Sequence, residues 1–94
     1  MVKSIMQNTK VCFLCGRTGY LERHHIYFGA NRKHAETHGL WVWLCPECHR
    51  TGPSAAHRDD ETNRQLKRVG QQTFERTHTR AEFMRIFGRN YLDD

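Results

Sequence analysis

Apolar residues along this chain fall into short clusters separated by long polar stretches. The densest cluster is residues 40–44 (LWVWL), whose tryptophans and valine predict a β-strand. Residues 20–28 (YLERHHIYF) place Leu21, Ile26 and aromatic side chains around two histidines, and also read as a strand. Residues 29–39, between them, are polar, basic and bounded by glycines, which predicts a loop.

Two further clusters predict helices. In residues 59–77, Leu66, Val69 and Phe74 recur at roughly helical spacing, and Asp59 and Asp60 are placed to cap the start. Thr79-Arg80-Ala81-Glu82 has capping-box spacing; Phe83, Ile86 and Phe87 form the stripe of a last helix, and Gly88 fits its stop. Residues 45–49 (CPECH) open a short helix with Pro46 in its first turn, and Thr51-Gly52-Pro53 breaks it. Residues 1–10 form a polar, loose lead-in. The expected fold is a small α+β domain over residues 1–94, with a hairpin core over 11–58 and a helical tail over 59–94.

Composition makes that core look poor. Of 94 residues only 37% are apolar, and the mean hydropathy is −0.83. A chain this short buries a modest share of its surface, and a structural metal is the obvious supplement. The polar N-terminal stretch lacks a signal-peptide pattern, and no apolar run reaches a membrane span. The expected compartment is cytoplasmic, where thiols stay reduced.

There, Cys12, Cys15, Cys45 and Cys48, in two C-x-x-C pairs, read as four thiolate ligands of a structural Zn²⁺. The 29 residues between Cys15 and Cys45 exceed the usual gap of roughly 15–20, and two strands with a connection would fill the excess. A redox role for either pair is the weaker reading, because such a motif needs one exposed thiol of low pKa.

Charge adds a weak preference. The formal net charge is +5, and four thiolates on Zn²⁺ reduce it to roughly +3. An anionic partner follows, nucleic acid ahead of a membrane. Arg23, Arg32, Lys33 and Arg50 flank the histidines as candidate DNA contacts. The cations of the tail, Arg64, Lys67 and Arg89 among them, are interleaved with acids and read mainly as a solvated helix face. Trp41 and Trp43 share one strand face, where packing is a better account than base stacking.

His24 and His25 are adjacent on the first strand, so they face opposite ways and suit two roles, one on a metal and one on a substrate. His49 directly follows Cys48, so a zinc clamp brings positions 24, 25 and 49 together. His34, His38 and His78 read as exposed polar residues.

The pattern C-x-x-C, His-His-Ile, a short strand, then Leu-Cys-x-x-Cys-His resembles the HNH family of ββα-metal (His-Me finger) endonucleases over about residues 11 to 58. Many relatives read Asp-His-Ile at the pair, nuclease colicins His-His, and some phage resolvases combine four zinc cysteines with such a site. The resemblance implies that His24 ligates a catalytic divalent ion, that His25 is the general base and that His49 is a second ligand. It also implies cleavage to 5′-phosphate and 3′-hydroxyl ends, and a phage setting with packaging or recombination machinery as a partner. Neither Gly52 nor Pro53 can supply a third ligand; His57, delivered by an insertion at residues 51–53, is one candidate, and a solvated histidine near a helix cap is the other reading of it. An all-histidine set suits Zn²⁺, Ni²⁺, Co²⁺ or Mn²⁺ better than Mg²⁺. Leu40 stands about where the family has its asparagine, with Asn31 and His38 the nearest polar residues. The competing readings are a non-catalytic zinc-ribbon module that binds nucleic acid and an accessory protein that docks a larger nuclease.

Overall fold

Two short strands, β1 (Glu22–His25) and β2 (Trp41–Leu44), pair antiparallel, with His24 opposite Val42 and His25 opposite Trp41. The computed structural model describes residues 2–92, which form a small α+β fold. Because strand side chains alternate, Glu22, His24, Val42 and Leu44 share one sheet face, and Arg23, His25, Trp41 and Trp43 share the other. Both strands are shorter than the sequence suggests, although Ile26 N–H donates to the Leu40 carbonyl and carries the pairing one step further.

The connection between the strands is not a plain loop. It holds a 3₁₀ turn (Gly29–Asn31) and a helix, α1 (Arg32–Thr37). Ala35 buries against the core and its carbonyl accepts from Leu40 N–H at 2.8 Å, while Asn31 Nδ2 donates to the Phe87 carbonyl. The two bounding glycines mark the ends of this insert. Gly39 has φ +70°, and a Cβ there would strike the Lys3 carbonyl.

That contact is one of several that tie down the lead-in, which its polar pattern predicts to be loose. Ile5 N–H donates to the Gly39 carbonyl, Trp41 Nε1 to the Val2 carbonyl, and Trp43 N–H to the Gln7 side-chain oxygen Oε1. Polar side chains and open backbone groups do this work, which an apolar pattern does not reveal.

After β2 the chain makes a five-residue π-helical turn (Glu47–Thr51) instead of an α-helix. Gly52 N–H closes it on the Glu47 carbonyl, and a Cβ at Gly52 would sit 2.8 Å from that oxygen. Helix α2 (Asp60–Phe74) starts where Asp59 accepts from Thr62 N–H. Helix α3 (Arg80–Phe87) starts on a complete Thr79/Glu82 capping box and stops at Gly88, in the left-handed region.

The two tail helices are part of the core. Tyr27, just past β1, packs against Phe83 and Phe87 at ring separations of 5.4 and 4.6 Å, and its hydroxyl donates to the Lys67 carbonyl. Gly70 makes room for it: a Cβ there would lie 3.0 Å from the Tyr27 oxygen. Val69 is consequently turned outward, and Gln71 is buried in its stead, bonded to Glu75, Asn90 and Tyr91. Each large side chain buried here contributes roughly 1.5–3 kcal/mol of transfer free energy. Among the described residues, no helix is long and apolar enough to cross a membrane.

Candidate metal centres

The four cysteines converge. Their sulfurs all lie within 4.8 Å of one another, and Cys15 Sγ stands 3.8 Å from Cys45 Sγ. A disulfide needs about 2.05 Å. Four sulfurs placed tetrahedrally at about 2.3 Å from Zn²⁺ stand about 3.8 Å apart, so the set fits such an ion. The first knuckle closes with Gly16 N–H on the Cys12 carbonyl and is tied to β2 by Phe13 N–H on the Trp43 carbonyl. Burial raises the Cys12 thiol, but backbone N–H groups of Cys45, Cys15 and Leu14 outweigh it and bring the pKa down to about 6. Burial and the neighbouring sulfurs push Cys48 upward. A divalent cation reverses that cost of gathering four thiolates. The cluster therefore suits a structural metal such as zinc.

A second convergent set lies on the Glu22/His24 face. His24, His49 and His57 each offer a ring nitrogen, all within 4.8 Å of one another, with ring centroids 4.8–5.1 Å apart. His24 comes from β1 and His49 from the π-turn. His57 is delivered by the segment after Gly52: Ala56 N–H donates to the Cys48 carbonyl and His57 N–H to the His49 carbonyl, which folds the chain back onto the turn. His24 is only 1% exposed, and its Nε2 has no hydrogen-bond partner among the described residues. Burial, and then the charges of His49 and His57, hold its pKa down at about 3, so the ring is neutral and one of its nitrogens keeps a lone pair. An orphaned buried ring nitrogen facing two further imidazoles is what a divalent ion would satisfy.

Glu22, which the sequence reading passes over, completes this set. Its Oε1 accepts from His49 Nδ1 at 2.8 Å, leaving Nε2 directed to His57 Nε2, 3.1 Å away. Arg50 also donates to Glu22 through Nε and Nη2, and Arg50 and His49 together hold the carboxyl at about 2. The period-two rule could have found Glu22, since it precedes His24 by two on one strand face.

No known protein family, curated protein or solved structure matches this chain. The two clusters consequently rest on their own geometry.

His25 is not brought into the histidine cluster. It lies on the opposite sheet face, 8% exposed, with Nε2 3.4 Å from Glu36 Oε1. Burial lowers its pKa and Glu36 opposes the shift. Glu36 comes from α1, in the segment that reads as loop, so no sequence signal pointed to it. Among the candidate DNA contacts, Arg23 pairs with Glu36 at 2.7 Å and covers the Trp41 ring, and Arg50 is held by Glu22. Arg32 and Lys33 are exposed on α1. Trp41 and Trp43 meet edge to face at 5.3 Å. His34 and His38 are half-buried, contrary to their reading as exposed, because Phe74 and Phe87 take their rings; His78 stacks on Phe74 at 4.2 Å.

Proposed function

We propose that the protein is a metal-dependent DNA endonuclease or nickase of the HNH type, a ββα-metal finger clamped by zinc and followed by helices. The observation that carries this reading is the three-histidine cluster, with its orphaned His24 Nε2 and carboxylate-oriented His49, built beside a separate four-cysteine clamp.

His24, His49 and His57 would hold the catalytic ion, and their nitrogen-only donor set favours Mn²⁺, Co²⁺, Ni²⁺ or Zn²⁺ over Mg²⁺. When bound, the ion would supply electrostatic stabilisation to the scissile phosphate and the departing 3′ oxygen. Glu22 fixes the His49 tautomer and ring orientation. His25 is the general base: with Nε2 engaged by Glu36, Nδ1 accepts the proton of the attacking water, and burial, which lowers its pKa, keeps the ring neutral for that task. In-line displacement puts nucleophile and leaving group on opposite sides of phosphorus. Adjacent strand residues facing opposite ways suit that division, with His24 on the leaving-group side and His25 on the water side. The products carry 5′-phosphate and 3′-hydroxyl ends. The setting proposed is the cytoplasm of a bacterial or phage-infected cell.

A second reading, a non-catalytic zinc-ribbon module that binds nucleic acid, draws on the engagement of His25 and Arg23 with Glu36. Incubation of supercoiled plasmid with zinc-loaded protein and Mn²⁺, Ni²⁺ or Mg²⁺ decides between them. We expect nicking by the native protein and none by His25→Ala with an intact fold. Absence of nicking by the native protein selects the module, and equal nicking by the variant removes His25 as the general base.

A further inference from the structure

The tail cations are not all a solvated face. Arg17, Arg23, Arg50 and Arg80 each pair with a glutamate. Arg64, Lys67 and Arg89 have no carboxylate at ion-pair distance among the described residues, and all three line one cleft of about 160 Å³. Asp60, Asn63 and Tyr91 complete its lining, so three cations face one acid.

The cleft adjoins the histidine cluster. Lys67 Nζ lies 4.6 Å from the centroid of the Phe28 ring and 5.5 Å from that of Tyr91, and Arg89 lies 5.1 Å from Tyr91. The other neighbours of Phe28 are His57, at 5.7 Å, and His24, at 6.3 Å. One aromatic ring thus separates the ammonium of the cleft from the candidate metal ligands. Burial and the charge of Arg89 lower the Lys67 pKa, so gathering these cations has a cost that a bound anion would offset.

We infer that this cleft is a second phosphate subsite, which holds a backbone phosphate of a bound polynucleotide next to the phosphate at the three-histidine centre. Arg64 and Arg89 donate charge-assisted hydrogen bonds to it, and Lys67 sits between the two phosphates. The inference rests on reading the histidine centre as a phosphodiester site. It extends the substrate contact from the hairpin onto α2 and the segment after α3, and it makes the tail part of the binding surface.

The test is DNA binding by the full-length, zinc-loaded protein in a His25→Ala background, read by fluorescence anisotropy of a labelled duplex between about 50 and 200 mM salt. We expect the Arg64→Gln/Arg89→Gln double variant to bind about tenfold more weakly and to lose about one unit of the log–log salt slope. Both arginines are exposed, and circular dichroism verifies that the fold is kept. A control pair away from the cleft, Arg76→Gln/Arg85→Gln, should change the slope much less. Equal slopes for the native and cleft variants, or equal losses for cleft and control pairs, overturn the subsite. Millimolar inorganic phosphate that shifts the Arg64 and Arg89 resonances while the DNA slopes stay equal also overturns it, in favour of a free-phosphate site. Plasmid nicking is measured in parallel: a slope loss confined to the cleft supports the subsite whether or not the plasmid is cut, and absence of nicking overturns only the enzymatic reading.

Discussion

Glu22 accepts a hydrogen bond from His49 Nδ1 at 2.8 Å and so ties β1 to the π-turn that follows β2. One carboxylate thereby sets the direction of an imidazole 27 residues further along the chain. Arg50, on the same turn, clasps that carboxylate from a second side.

Replacement of Glu22 by glutamine keeps the size of the side chain and removes its charge. We expect Glu22→Gln to weaken divalent-ion binding at the histidine centre by about 10–100-fold. The cysteine-bound zinc should be retained. Calorimetric titration of the zinc-loaded protein with Ni²⁺ reads the first effect and zinc content the second. Unchanged Ni²⁺ affinity would show that Glu22 does not orient a ligand.

Cys45→Ser should unfold the domain. Cys45 is fully buried, and structural zinc binding contributes directly to folding, with apparent values of about 10–16 kcal/mol in zinc-finger peptides. Far-ultraviolet circular dichroism and zinc stoichiometry provide the measurement. A folded variant that still holds one equivalent of zinc would contradict the assignment of the cysteines as the clamp.

His38 makes stability depend on pH. Burial lowers its pKa below 6.5, as do the charges of His78, whose ring centroid lies 6.2 Å away, and of His34, one helical turn earlier. The folded protein thus resists a proton that the unfolded chain accepts. Stability is full above the unfolded-state value and falls as pH drops through about 6.5 toward the lower folded-state value. Urea midpoints should therefore decline from about pH 7.5 to 5.5 less steeply in His38→Phe than in the native protein. Parallel declines would remove His38 from the account.

Thr79→Ala removes both hydrogen bonds that its hydroxyl makes with Glu82, at the entry to α3. The loss should be about 1 kcal/mol, which for a domain of this size lowers Tm by about 4–8 °C. Thr79→Ser should recover most of it. A thermal melt that separates neither variant from the native protein would mean that α3 is held by Phe83 and Phe87 alone.

Where the chemistry is local, the chain announced it. The C-x-x-C pairs at Cys12/Cys15 and Cys45/Cys48 are chelating by spacing, and the structure gathers them. The strand around Trp41–Leu44 follows from its composition, and Thr79, Glu82 and Gly88 delimit α3 as their residue types predict. Between the strands the reading failed. The six residues of α1 are polar apart from Ala35, and short helices are stabilised by tertiary contacts more than by their own propensity. The π-turn is likewise invisible locally, since its geometry depends on Gly52 closing onto Glu47 while Cys48 and His49 stay oriented toward separate clusters.

The sequence by itself determined the inventory: two thiolate pairs, alternating strands that send His24 and His25 to opposite faces, and capped helices. The tertiary structure alone decided the partnerships. It folded His57 back onto His49, set Glu22 behind His49, aligned His25 with Glu36, and collected Arg64, Lys67 and Arg89 beside Phe28. The physical reason is that these groups are distant along the chain. They meet only because Tyr27, Phe74, Phe83 and Phe87 bury one another and dock the tail helices on the hairpin, and such non-local packing leaves no period in the sequence.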